Sequence, residues 1–211
     1  MKVRLIFEKN VRYISHLELM RTIQRILKRS GLPLKYSEGF NPHIILSIAI
    51  PIPVGVCGIK EYADFELKED IEPKEILKSL QNAADNGIKP TGICIDCKKS
   101  FNSVVYASYK IDVVSEEADK IIEFLSRDEI NTEKKAKGKI KIINLKEYIH
   151  NINFEKTANG LKIDCLLNCG NEKNLNPMLI RKAILKENIS LDVFNATRLC
   201  VYDNDMKEFA E

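Results

Sequence analysis

Hydrophobic positions recur along this chain in two rhythms, of period two and period 3.6, and together they outline a repeated order of elements. Val3, Leu5 and Phe7 alternate against Lys2, Arg4 and Ile6, which predicts an opening strand. Ser15-His-Leu-Glu18 has the form of a capping box, a hydroxyl for a free helical amide and a glutamate three residues on. The helix it opens gathers Leu19, Met20, Ile23, Ile26 and Leu27 on one face, with Arg21, Arg25, Lys28 and Arg29 on the other. Gly31 supplies a left-handed end. Strand patterns over 44–52 and 62–67 follow. A helix then starts at Pro73 with Ile76, Leu77, Leu80 and Ala84 inward, Gly87 closes it, and a strand runs over 88–95. The order is βαββαβ.

The second half repeats it. Residues 104–114 read as a strand, and Ser115-Glu-Glu caps a helix carrying Ile121, Ile122 and Leu125. A hairpin turns near Gly138, with Ile140, Ile142 and further strand material to Phe154. Residues 161–167 alternate as a strand, Asn176-Pro177 starts a helix with Ile180, Ala183 and Ile184, and a strand over 197–202 closes. The pattern predicts an α+β fold of tandem ferredoxin-like (βαββαβ) units with antiparallel sheets, residues 1–100 and 101–211, meeting near Ser100 to Asn102. No sequence repeat accompanies the structural one.

A length of 211 residues with 45% apolar content suits two domains of about 100 residues each. No apolar run approaches the roughly 18 residues of a membrane span. The longest, 44–56, is broken by Ser47, Pro51, Pro53 and Gly55. The alternating N-terminus with Glu8 reads as a strand, not a signal peptide, so a cytoplasmic protein without membrane contact is expected. The six cysteines do not make a disulfide scaffold. Cys94-x-x-Cys97 and Cys165-x-x-x-Cys169 lie in apolar surroundings, so they are expected as small buried hydrophobes, with no metal and no required disulfide.

Charge is uneven. Residues 1–43 hold nine Lys or Arg against Glu8, Glu18 and Glu38, a net +6 within a chain of +3. A second basic run, Lys134-Lys-Ala-Lys-Gly-Lys-Ile-Lys141, contains no acid. Two local basic zones on a nearly neutral protein point to a polyanion held at a defined place; the competing reading is a solvated lysine surface.

Candidate chemistry concentrates between Ser15 and Gly55, where two of the three histidines fall. Gly31, Pro33, Gly39 and Pro42 punctuate the segment 31–43, as in a loop built to hold one shape. His43 leaves that loop after Asn41-Pro42 and is a binding or catalytic candidate. His16 projects to the side of Met20, Ile23 and Leu27, which favours a core or cap histidine over a catalyst. Tyr36 and Phe40 could stack a base or anchor the loop. Glu61 and Asp64, three apart in a strand, face opposite sides and do not pair as catalytic carboxylates.

The stretches Ser15-His-Leu-Glu-Leu-Met-Arg21, Gly31-Leu-Pro-Leu-Lys-Tyr-Ser-Glu-Gly-Phe-Asn-Pro-His43, Leu46-Ser and Pro51-Ile-Pro-Val-Gly55 resemble the radical-SAM-linked bacterial proteins. In that family a domain of unknown function stands alone or is appended to a radical SAM protein. The resemblance covers roughly residues 1–70 and implies a radical SAM protein as partner. One departure is Ile44-Ile45, where the family has Pro and a basic residue after the histidine. The chain lacks a Cys-x-x-x-Cys-x-x-Cys run, so by that motif it holds no iron–sulfur cluster; no cofactor is implied.

The leading expectation is an RNA-binding accessory protein supporting RNA modification or processing. Arg4, Arg12, Arg21, Arg25, Arg29, Lys35 and Asn41 would form one footprint, and Lys134, Lys135, Lys137 and Lys139 a second. An alternative is a metal-independent endoribonuclease, by resemblance to CRISPR repeat-processing nucleases, with His16 or His43 as general base and Tyr36 or a basic residue against the developing charge. A third is a protein-interaction module that uses the apolar 44–56 stretch to dock on a radical SAM subunit.

Overall fold

The computed structural model describes residues 1–85, 87–136 and 138–209, in a mixed α+β fold whose strand pairings are mostly antiparallel. Two compact units divide the chain. One runs from Met1 to Val104 and takes in the segment from Cys200 on; the other is Val105–Leu199.

The first unit opens with β1 (Lys2–Lys9), followed by α1 (His16–Arg29), β2 (Leu46–Ile48), β3 (Val56–Glu66), α2 (Pro73–Ala83) and β4 (Ile88–Ile95). Its strands lie in the order β4-β1-β3, with β2 on β3, every pairing antiparallel. The register sets Leu5 opposite Ala63 and Ile93. Ser15 caps α1 by accepting the Glu18 amide at 3.2 Å, while the Glu18 carboxylate turns to Arg25. Leu19, Ile23, Ile26 and Leu27 bury the apolar stripe, about 1.5–3 kcal/mol for each side chain. The strand expected over 44–52 contracts to Leu46–Ile48, because Pro51 and Pro53 have no amide to donate and Gly55 turns the chain at φ 89°. β3 is correspondingly longer than the expected 62–67. Helix α2 ends at Ala83, ahead of Gly87.

The second unit contains β5 (Tyr106–Val114), α3 (Ala118–Ser126), β6 (Asn131–Ala136), β7 (Lys139–Asn144), β8 (Ile149–Thr157), β9 (Gly160–Asn168), α4 (Met178–Lys186) and most of β10 (Val193–Tyr202). Its strands run β10-β5-β9-β8, and β6 and β7 form a separate two-stranded hairpin. Ile111 faces Ile163 across β5 and β9, and Tyr109, Ile121, Leu125, Ile180 and Ile184 complete the core. The last residues of β10 belong to the first unit, where that strand lies beside β3.

In the first unit the closing segment brings Phe209 into full burial between the rings of Tyr62 and Phe101. Its carbonyl accepts from Arg4 Nη1 at 3.0 Å. Lys99 donates to the Glu208 carbonyl at 2.7 Å and pairs with Asp203 at 3.0 Å, and Lys60 pairs with Glu208.

The cysteines divide by burial into three buried and three half-exposed. Cys165, Cys169 and Cys200 are buried, and burial pushes the Cys165 thiol up to about 12. Against the expectation of small buried hydrophobes, Cys94 and Cys97 are half-exposed and joined by a disulfide, and Cys57 is a half-exposed free thiol. Asp96 takes φ 48°, which folds the strand end back so that the two Cα atoms stand 6.1 Å apart, within bridging range.

Candidate nucleic-acid interface

Helix α1 hands the chain to the punctuated loop through Gly31, at φ 72°. Lys35 donates its amide to the Glu66 carbonyl at 2.9 Å, and bridges Leu34–Leu67 and Tyr36–Ile44 seat the two ends of the loop. Between them the Ser37 amide donates to the His43 carbonyl at 2.8 Å, and the His43 amide donates to Ser37 Oγ at 3.1 Å. Ser37 Oγ also lies 2.8 Å from His43 Nδ1, with the Asn41 carbonyl 3.4 Å from the same nitrogen. Gly39 makes the reversal at φ 114°. Ile44, 3% exposed, pins the exit of the loop into the core.

This lacing leaves Phe40 at the tip with a relative exposure of 106%, as open as in an isolated peptide. Tyr36, Asn41 and His43 are exposed beside it. Of the two readings for the aromatics, the anchor does not apply to Phe40, since the anchoring is done by Leu34 and Ile44. His43 engages Nδ1, and among the described residues its Nε2 makes no hydrogen bond.

The cationic face of α1 is exposed at Arg21, Arg25, Lys28 and Arg29. Glu18 pairs with Arg25 at 3.1 Å and stands 3.9 Å from Arg21, whereas Lys28 and Arg29 form no ion pair among the described residues. Lys35 is bound to Glu66 at 2.7 Å; their shared hydrogen bond raises the lysine pKa and lowers that of the carboxylate. Arg4 leaves the proposed footprint altogether. It is 2% exposed and bidentate on Asp64, at 2.7 and 2.8 Å, and its guanidinium also stacks over Phe101 at 4.3 Å. Arg12 is half-buried, and among the described residues its Nη1 has no hydrogen-bond partner. His16 is exposed, not on the core side, because it stands at the very start of the helix, before the turn that packs. Among the described residues no hydrogen bond or ring contact joins it to Tyr36, Asn41 or His43.

On the hairpin of β6 and β7, Lys135 and Lys139 are exposed. Lys134 is spoken for: it donates to the Asn174 carbonyl at 2.5 Å and lies over the Tyr148 ring, and burial lowers its pKa. Lys137 lies outside the described residues. Ile140 and Ile142 are 68% and 74% exposed on this hairpin. By contrast, the 44–56 stretch buries Ile44, Ala49, Ile50, Ile52 and Val56, and of its apolar side chains Val54 is the most exposed.

Two cavities lie elsewhere. One of about 380 Å³ adjoins α2 and β4, and another of about 460 Å³ sits at the start of α3; neither includes a residue of the 36–44 loop. No helix among the described residues is long and apolar enough to cross a membrane. Sequence reasoning misses Ser37. The signal for Ser37 is its position one residue inside the Tyr36–Ile44 bridge, which sets it opposite His43.

The chain belongs to the family described as "Uncharacterized protein conserved in bacteria (DUF2344)", whose model matches residues 2–177. No curated protein matches. Among solved structures, a chain in the crystal structure of a Cbf5-Nop10-Gar1 complex is similar at 12% identity and a TM-score of 0.51. The match covers 94% of this chain and 48% of that one, a likeness of fold.

Proposed function

We propose that this protein binds RNA through the 36–44 loop and the cationic face of α1, in support of RNA modification or processing. Phe40 carries the reading. An aromatic ring held wholly in water on a laced loop costs free energy unless a partner covers it, and a base is a flat partner that any ring can stack. Lys28 and Arg29, without an ion pair among the described residues, are placed for phosphates, and Arg21 and Arg25 can exchange Glu18 for them. Lys135 and Lys139 offer a second, separate footprint.

The same reading takes both units as ferredoxin-like. The orders β4-β1-β3-β2 and β10-β5-β9-β8 support it, as does the βαββαβ succession within each, with β6 and β7 as an insertion. A radical SAM protein is the partner that the motif resemblance suggests. The likeness to the Cbf5-Nop10-Gar1 chain bears on fold alone.

Anisotropy titration of a labelled single-stranded RNA tests the proposal. Phe40→Ala should weaken binding roughly five- to 150-fold, the equivalent of about 1–3 kcal/mol per stacked base. Lys28→Gln and Arg29→Gln should each flatten the salt dependence by about 0.7 in log–log slope. Absence of affinity at low salt, or a Phe40→Ala protein equal to wild type, would refute it. The open Nε2 of His43 favours a second reading, a metal-independent endoribonuclease. Under it, RNA incubated with EDTA is cleaved by wild type and not by His43→Ala.

A further inference from the structure

We propose that Cys94 and Cys97 form a reversible dithiol–disulfide couple that exchanges with an external thiol. The geometry comes from the turn: β4 ends, Asp96 takes its left-handed conformation, and the Asp96 amide donates to the Lys2 carbonyl at 3.1 Å. That bond holds the residue between the two cysteines against β1. Access comes from position. β4 is the edge strand of its unit, both cysteines are half-exposed, and Cys97 stands between exposed Asp96 and Lys98. Cys165, Cys169 and Cys200 are buried and take no part, and Cys57 is a lone, half-exposed thiol on β3.

The bond is also dispensable to the fold, which a redox couple requires. It closes a ring of only four residues, the least stabilising kind of cross-link. The strand it follows is already paired with β1 from Val3–Ile95 to Lys9–Ile88.

Exchange balances as follows. An external thiolate attacks one Sγ, the Cys94–Cys97 bond breaks, and a mixed disulfide forms while the other cysteine leaves as a thiolate and takes up a proton. A second external thiolate then attacks the external sulfur of the mixed disulfide, forming the external disulfide and releasing the remaining cysteine, which is also protonated. Two electrons and two protons pass to the protein, and two external thiols become one disulfide.

The test equilibrates native protein anaerobically in glutathione buffers of stepped reduced-to-oxidised ratio. Acid quenching, differential alkylation and peptide mass spectrometry then give the oxidised fraction at Cys94 and Cys97. A parallel arm replaces glutathione with a protein dithiol of the Cys-x-x-Cys type, and the arm that exchanges faster identifies the source of the thiol. The expected result in either arm is passage from fully oxidised to fully reduced within the series. It should return when the ratio is reversed, with far-UV circular dichroism unchanged. A bond that persists in the most reducing buffer of both arms would overturn the proposal, as would two thiols that stay free in the most oxidising one.

Discussion

Replacing Asp64 with alanine isolates the buried pair at the centre of the first unit. Arg4 Nε and Nη2 lose their two charge-assisted bonds, 2.7 and 2.8 Å long, at a side chain that is 1% exposed. The carbonyls of Phe209 and Lys99 remain as neutral acceptors, and the guanidinium stays out of water. Leaving one partner of such a pair uncompensated costs about 3–5 kcal/mol. With an m-value of about 2 kcal/mol/M, the urea midpoint of the first unit falls by roughly 2 M. The double variant Arg4→Met/Asp64→Leu removes both charges together and leaves the buried Phe209 carbonyl without its donor, at about 1–3 kcal/mol. It is therefore expected to be more stable than Asp64→Ala alone. Far-UV circular dichroism against urea follows both. A loss below about 1 kcal/mol in Asp64→Ala, or a double variant less stable than the single one, refutes the reasoning. The exposed Lys35–Glu66 pair is the control, and Glu66→Gln should leave the midpoint where it was.

Two further outcomes follow from local chemistry. Glu117 is held down to about 2 by its hydrogen bond with Lys120 and by the Ser190 amide, so its folded pKa lies below the unfolded value. Its stabilisation is then complete above the ordinary carboxylate range and is lost as pH falls from about 5 towards 2. Urea midpoints measured across that window should decline less steeply in Glu117→Gln. Gly160 opens β9 at φ 152°, and a Cβ there would fall against the Val113 carbonyl, which is backbone and cannot step aside. Gly160→Ala should lower stability by about 1–3 kcal/mol, read as a drop in melting temperature; an unchanged melting temperature would contradict the steric argument.

Much of the element order was legible because local chemistry decides it. Ser15 and Gly31 mark the ends of α1, Gly138 turns the hairpin, and the strand over 88–95 is where its pattern placed it. Arg4 shows where local pattern stops. Alternation sorts Val3, Leu5 and Phe7 from Arg4, but it cannot say that the second face of β1 is also covered, by Phe101 and Phe209. The covering residues lie about a hundred and two hundred positions away, and no window of sequence spans that. For the same reason the Ser37–His43 contact stayed hidden, since it depends on the register of the Tyr36–Ile44 bridge. The disulfide depends on one backbone angle at Asp96, which an aspartate adopts without announcing it.

The return of the closing segment sets an order of events during synthesis. Val104 ends the N-terminal portion of the first unit, yet Phe209, which seals its core, is made 105 residues later. At about 5–20 residues per second the ribosome takes roughly 5–20 s over that interval. Throughout it Arg4 and Asp64 have no Phe209 above them, and Tyr62 and Phe101 present uncovered rings. The second unit has its whole sequence available at Leu199 and can fold first, although it is encoded second. The N-terminal unit is thus the last to be finished, and a nascent chain stalled before Phe209 offers that open aromatic cleft to whatever chaperone attends it.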